Sequence, residues 1–308
     1  MQNPVTPRMC SCGNRATTFF AGPLERTLRD DAPELEYGRG YCPKSTHAGQ
    51  LKLLCSEIQF LMEFRGVALV VIYAGASPGI HIPRLKTMFP EVTFVLVDPT
   101  SSVYHHAELA PHVVKVERVE LIRDFMTDEL ATRLAERFAD SPVLFISDVR
   151  IGYMGDEPES LQDHQLRIKR DMDAQLKWYE ILNPMAAMFK FRLPWDLGPY
   201  TMYPKGIIQL PVYGRHLTHE ARLVVHRGAA MVSYDNRKYE GQMAYFNRVR
   251  RAAIYEQGLC YDCMAFRAII ADYLGEGVHS AAVRDMCHSI DLELRWMGQR
   301  FGFIHGRG

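Results

Sequence analysis

No stretch of this 308-residue chain stays apolar long enough to span a bilayer. Its first residues lack the basic-then-apolar pattern of a secretory signal. Neither sign of charge is in excess: Lys and Arg together number 36, as do Asp and Glu, for a formal net charge of +0. Such a chain has no global pull on nucleic acid, so any RNA contact must come from a local basic patch. Internal repeats and low-complexity linkers are missing. So is a Gly-x-Gly-x-x-Gly fingerprint, which argues against a hydride-transferring dehydrogenase. Cysteine is sparse and odd in number, at seven. Without a secretory signal, reduced thiols and a cytoplasmic setting are expected. A membrane protein, a secreted disulfide scaffold and a generally basic nucleic-acid binder are thereby set aside.

What is present is 47% hydrophobic residues, ordinary for a globular protein, arranged as alternating strands and helices. The most informative unit is Val70-Val71-Ile72-Tyr73-Ala74-Gly75-Ala76-Ser77-Pro78-Gly79-Ile80-His81, an apolar β-branched run ending in a small-residue turn. Asp98 closes a second apolar run, Thr93 to Val97, about twenty residues later, where an acid meets a ribose in nucleotide-binding βαβ units. This pairing predicts an adenosine-type cofactor. Pro78 removes a backbone donor that a pyrophosphate would need. The turn therefore suits a cofactor without phosphates, S-adenosylmethionine.

Residues 1–45 lack a sustained period and read as an irregular arm. Residues 46–308 read as a single domain with a helical C-terminal flank. Helices are predicted over 46–64, 81–88, 127–139 and 161–181, and strands over 68–74, 93–98, 113–119, 143–149, 186–193, 207–212 and 221–226. From Tyr239 the pattern is helical to near the end. The alternation predicts an α/β fold, Rossmann-like, with a mostly parallel sheet and helices on both faces. Ligands in such folds sit at the carboxyl ends of the strands.

Four charged residues stand outside the turn motif. Lys52 lies in a predicted helix, Asp148 ends an apolar strand, Lys190 sits inside Ala187-Met188-Phe189-Lys190-Phe191, and Glu220 precedes Ala221-Arg222-Leu223-Val224-Val225. Each alone has a plainer reading as a solvated or capping charge. Buried charges are costly unless paired, so two lysines and two carboxylates invite pairing. Cys10-Ser11-Cys12 and Cys260-Tyr261-Asp262-Cys263 together offer four sulfurs, a complement for zinc. The plainer reading is preferred there too. Cys260 and Cys263 fall in an apolar helical stretch, the first pair lacks the two-residue spacing, and no metal is expected.

These segments, in order, resemble the poxvirus cap-specific mRNA (nucleoside-2′-O-)methyltransferase family, whose members are also small regulatory subunits of the viral poly(A) polymerase. The resemblance rests on Gly49-Gln50-Leu51-Lys52, Val71 to His81, Ile146-Ser147-Asp148-Val149-Arg150, Ile181-Leu182-Asn183-Pro184, Phe189-Lys190 and Glu220-Ala221-Arg222-Leu223. It runs from about Tyr37 to about Asn247. It implies a Rossmann-like S-adenosylmethionine-dependent methyltransferase fold and a catalytic tetrad Lys52, Asp148, Lys190 and Glu220, with Lys190 as general base. A lysine does that work only when its pKa falls toward neutrality. The resemblance further implies cofactor roles for Gln50, Tyr73, Gly75, Gly79, His81, Asp98, Val119, Val149 and Arg150. For the cap it implies stacking by Tyr37 and Trp195, with acids Glu240 and Asp196 and a contribution from the N-terminal arm. Family members carry Gly after the ribose acid, whereas Pro99 stands here.

The implied partners are capped mRNA and the catalytic subunit of a viral poly(A) polymerase, in the host cytoplasm. Arg248, Arg250 and Arg251, or Arg167, Lys169 and Arg170, are the candidate RNA tracks. Two alternatives remain: a non-enzymatic polymerase-processivity factor, and a methyltransferase acting on another substrate. The Asn/Asp-Pro-Pro-aromatic element of DNA amino-methyltransferases is missing.

Overall fold

The computed structural model describes residues 8–10, 15–16, 18–36, 48–67, 69–100, 118–150, 159–215 and 217–300. The chain forms two compact units, Phe64–Ile208 with Ala221–Tyr239, and Met1–Glu63 with Gln209–Glu220 and Glu240–Gly308. In chain order the elements are β1 (Arg8–Met9), β2 (Arg15–Ala16), β3 (Thr18–Phe19), α1 (Gly49–Met62), β4 (Val70–Ala74), α2 (Ile82–Met88), β5 (Thr93–Val97), β6 (Val119–Ile122) and α3 (Asp128–Arg137). They continue with β7 (Val143–Ser147), α4 (Leu161–Leu182), β8 (Ala186–Phe191), β9 (Tyr200–Pro204), β10 (Ile207–Gln209), β11 (Ala221–His226), β12 (Met231–Asp235), α5 (Asn236–Tyr245), β13 (Ala253–Ile254), α6 (Tyr261–Leu274) and α7 (Ala281–Arg300).

Seven strands form one sheet in the order β10-β11-β8-β7-β4-β5-β6. β6, β5, β4, β7 and β8 run parallel. β11 runs antiparallel to β8, with Arg222 opposite Lys190. β4 and β7 are wholly buried, as strands covered on both faces must be, and their sequences are accordingly unbroken apolar runs. The chain moves outward from β4 through α2 to β5, then returns from β6 through α3 to β7. Right-handed crossovers in opposite directions put α2 and α3 on opposite faces. The sheet is therefore doubly wound, and its order reverses between β4 and β7.

Local chemistry sets the helix ends. Thr127 accepts the Leu130 N–H at the start of α3, with Asp128 and Glu129 in its first turn and Arg137 in its last. Ser160 caps α4 by accepting the Asp163 N–H. Asn183 closes α4 in the left-handed conformation at φ 42°, ahead of Pro184.

Besides the two-residue strands β1, β2, β3 and β13, two longer strands escape the sequence pattern. β9 and β12 pair antiparallel as a separate ribbon. β12 alternates exposed and half-buried residues, and Tyr200 and Met202 of β9 stand exposed, so no strongly buried face marks them. The strand expected over 207–212 stops at Gln209, before Pro211. The strand expected over 113–119 is described only as Val119–Ile122. The helix expected from Tyr239 starts at Asn236 and is interrupted. It widens into a π-helical turn over Phe246–Arg250, then gives way to β13, which pairs parallel with β3.

The second unit packs α1, α6 and α7 together around Leu54, Ile58, Ile269, Ile270, Val283 and Ile290. Cys55 and Cys287 lie in this apolar packing. Burial pushes the Cys55 thiol well up and the Cys287 thiol to about 12, so both are inert core residues.

Candidate active site

The carboxyl ends of β4, β5, β7 and β8 carry one group of candidate site residues. Gly75 follows β4 with φ +78°. A Cβ there would lie 2.8 Å from the Val149 nitrogen and 2.9 Å from the Asp148 carbonyl carbon. The glycine is thus required by the passing backbone after β7 as well as by its own left-handed conformation. Gly79, at φ +68°, completes the turn. Asp98 follows β5. Its Oδ2 accepts the Ser77 N–H at 3.0 Å, and its Oδ1 accepts both the N–H and the hydroxyl of Thr100, at 2.8 and 2.5 Å. The acid therefore pins the Gly75–Gly79 turn to the end of β5. A carboxylate has about four acceptor positions, and these three bonds leave one on Oδ2.

Lys190 is the fifth residue of β8, and Arg222 lies directly across the antiparallel pair on β11. Opposed residues in such a pair share a face. Both reach Asp148: Lys190 Nζ is 3.0 Å from Oδ1, and Arg222 donates to the same oxygen at 2.6 Å. Lys190 also donates to the Asp148 carbonyl at 3.2 Å. The three side chains are only 6–17% exposed. Beneath them, Gln175 of α4 donates to the Lys190 carbonyl and to the Tyr203 hydroxyl, each at 2.9 Å, and that hydroxyl donates to the Met172 carbonyl. This buried network fixes the strand at Lys190.

In the other unit Lys52, in the first turns of α1, pairs with Glu220 at 2.5 Å. The segment leading to Glu220 is anchored from below. Buried Arg251 donates to the Gly214 and Arg215 carbonyls and pairs with Asp262 at 3.1 Å. Asp262 accepts the Tyr213 N–H, and Asn247 donates to the Thr218 carbonyl.

The structure thus groups Lys190 with Asp148 and Lys52 with Glu220. It adds Arg222, to which the sequence reading gave no role. Its signal was a charged residue inside the apolar run Ala221–Val225. Tyr73 is fully enclosed and His81 is 1% exposed, their rings 6.4 Å apart, so both side chains are packing beneath the turn rather than an open surface. Val119, Val149 and Gln50 are half-buried, and Arg150 is exposed.

Trp195 is half-buried, with the Arg237 guanidinium 5.4 Å from its ring centre. Asp196 is exposed, and Glu240 is buried at 6%. Tyr37 and Cys12 lie outside the described residues. Of the two basic clusters, Arg251 is consumed by Asp262 and Arg250 pairs with Glu25. Arg167 pairs with Glu159 and Lys169 with Asp173. Buried Arg251 is therefore no phosphate contact. The structure also brings together Cys10, Cys260 and Cys263, three of the four cysteines whose reading as a zinc set was not preferred from the sequence.

A reversed-order parallel sheet, with a ribose-type acid after one strand and a lysine–carboxylate pair two strands away, defines a Rossmann-like α/β protein. The chain belongs to the poly A polymerase regulatory subunit family, whose model matches residues 27–274. It is 28% identical over 225 residues to the cap-specific mRNA (nucleoside-2′-O-)-methyltransferases of Myxoma virus strains Lausanne and Uriarra, across 68% of this chain. It spans 64% of the length of those relatives. Among solved structures, TrmN from Thermus thermophilus superposes at TM-score 0.31 with 13% identity, over 61% of this chain and 50% of that one. So slight a likeness leaves the fold assignment to the sheet order itself. Among the described residues, no helix is long and apolar enough to cross a membrane.

Proposed function

We propose that the protein transfers a methyl group from S-adenosylmethionine to the ribose 2′-hydroxyl of the first transcribed nucleotide of capped mRNA, with Lys190 as general base. The observation that carries the reading is Lys190 Nζ, 3.0 Å from an Asp148 carboxylate that also binds Arg222, at the strand ends beside the Gly75 turn. S-Adenosylmethionine supplies an electrophilic methyl group on a sulfonium. The chain's residues fit it at one point above all, the acceptor position left on Asp98, which would take a ribose hydroxyl. The Gly75–Gly79 turn would hold the amino-acid end. The family resemblance further assigns Gln50, Tyr73, His81, Val119, Val149 and Arg150 to this ligand.

Lys190 would take the 2′-hydroxyl proton, while S-adenosylmethionine, when bound, would supply the methyl group. Asp148 holds the amine and Gln175 holds the strand that carries it, so that orientation supplies much of the acceleration. The family resemblance also implies a role in the tetrad for Lys52 and Glu220, which pair with each other. Tyr37 and Trp195 stack the methylated guanine, with Glu240 and Asp196 as acids for its N–H groups. The setting is the host cytoplasm.

The test is methyl transfer to capped RNA lacking the first 2′-O-methyl group, with the product mapped to its nucleotide. Lys190→Ala is expected to abolish transfer while cap binding persists. Near-wild-type turnover in that variant refutes the base, and equal methylation of uncapped RNA or DNA refutes the cap substrate. Family membership favours a second role beside the first, as processivity partner of the poly(A) polymerase catalytic subunit. Failure of that subunit to co-purify refutes it.

A further inference from the structure

Five cysteines fall among the described residues outside any disulfide, and three of them meet. Cys10 follows β1, 250 and 253 positions from its partners, Cys260 and Cys263 at the start of α6. The three sulfur atoms all lie within 4.8 Å of one another, with Cys10 and Cys263 3.5 Å apart. A disulfide needs about 2.05 Å, and it would leave the third sulfur over. Sulfurs around one tetrahedral zinc, each about 2.3 Å from the ion, stand about 3.8 Å apart. The observed spacing brackets that value.

We propose that Cys10, Cys260 and Cys263 bind a zinc ion that ties the N-terminal segment to the start of α6. Cys260 is the N-cap of α6 and Cys263 lies in its first turn. Their three-residue separation puts both sulfurs on one side of the helix end. Unsatisfied N–H groups and the positive end of the helix dipole favour thiolates there. Each sulfur that binds releases its proton to solvent. Cys10 and Cys260 are buried, at 3% and 0%. The Tyr213 hydroxyl donates to Cys263 Sγ at 3.4 Å, an outer contact of the kind that orients a ligand. The neighbouring carboxylate, Asp262, is engaged by Arg251 and the Tyr213 N–H, so the ligand set is sulfur. Sulfur ligands select zinc over magnesium or calcium.

The experiment uses the full chain, purified under reducing conditions without added metal. Elemental analysis is expected to find about one zinc per chain. Exchange for cobalt(II) should give thiolate-to-cobalt charge-transfer absorption. Titrating the wild-type chain with an organomercurial should release the zinc in step with modification of these three thiols, a readout that no folding defect can blur. Cys260→Ser and Cys263→Ser should lose the metal, and Cys287→Ser should keep it. A metal-free chain in which all three residues alkylate as thiols overturns the proposal. So does a peptide map showing a Cys10–Cys263 disulfide.

Discussion

Two lysines, one in each unit, are held by carboxylates in different ways. Lys52 meets Glu220 at 2.5 Å from a helix whose neighbours are buried. Lys190 meets Asp148 at 3.0 Å from a strand, and the same carboxylate oxygen takes Arg222 at 2.6 Å. The first is a close ion pair that fixes a cation. The second is a carboxylate whose attraction is divided, with the guanidinium closer than the amine. A group that must accept a proton during reaction is better placed in the second arrangement, where the acid does not hold it alone. On the proposed function, the contrast separates a positioned charge, Lys52, from the proposed base, Lys190.

The sharpest way to break this contrast is Lys190→Met. Loss of a general base costs about 10³ in kcat, measured on capped RNA under saturating conditions. If Lys52→Met costs more than Lys190→Met, the roles are reversed. Next comes Asp148→Asn, which strands two cations that are 15% and 6% exposed. It should destabilise the protein by about 3 kcal/mol in urea unfolding, against about 1 kcal/mol for Glu220→Gln. Equal losses would show that Arg222 is not held by Asp148. A double-mutant cycle between Lys52→Met and Glu220→Gln should return a smaller coupling of about 1 kcal/mol. Coupling near zero would make that pair an incidental surface contact.

The smallest effect calibrates both pairs against a carboxylate with a plain partner. The Arg167 guanidinium holds the Glu159 carboxyl down to about 2. Its folded pKa lies below the unfolded value of about 4.3, so its stabilisation is complete above that pH. The contribution falls away as pH drops toward 2. Glu159→Gln should flatten that acid limb slightly, and an unchanged limb would mean that the pair contributes nothing.

Much of the fold was legible because a buried parallel strand must be apolar throughout. The runs ending at Ala74, Val97 and Ser147 announce themselves, and so does the acid after the second. The charged residues were legible singly, since a lysine between Phe189 and Phe191 is costly without a partner. Their grouping was not. Arg222 reaches Asp148 because β11 pairs with β8 in one register, and no periodicity encodes which strands pair. Arg251 read as part of a basic run, yet it finds Asp262 eleven residues on, across β13. The ribbon of β9 and β12 was missed for the opposite reason, since neither strand carries a strong hydrophobic face. Three cysteines from distant segments converge through tertiary structure alone.

Gly75 has no room to grow because the main chain at Asp148 and Val149 runs against it. A methyl group there would push on the backbone that carries Asp148, not merely on the Gly75–Gly79 turn. Turn and carboxylate therefore shift as one body. Gly75→Ala should raise KM for the methyl donor and lower kcat together, and a change in either alone would show that the two loops yield independently.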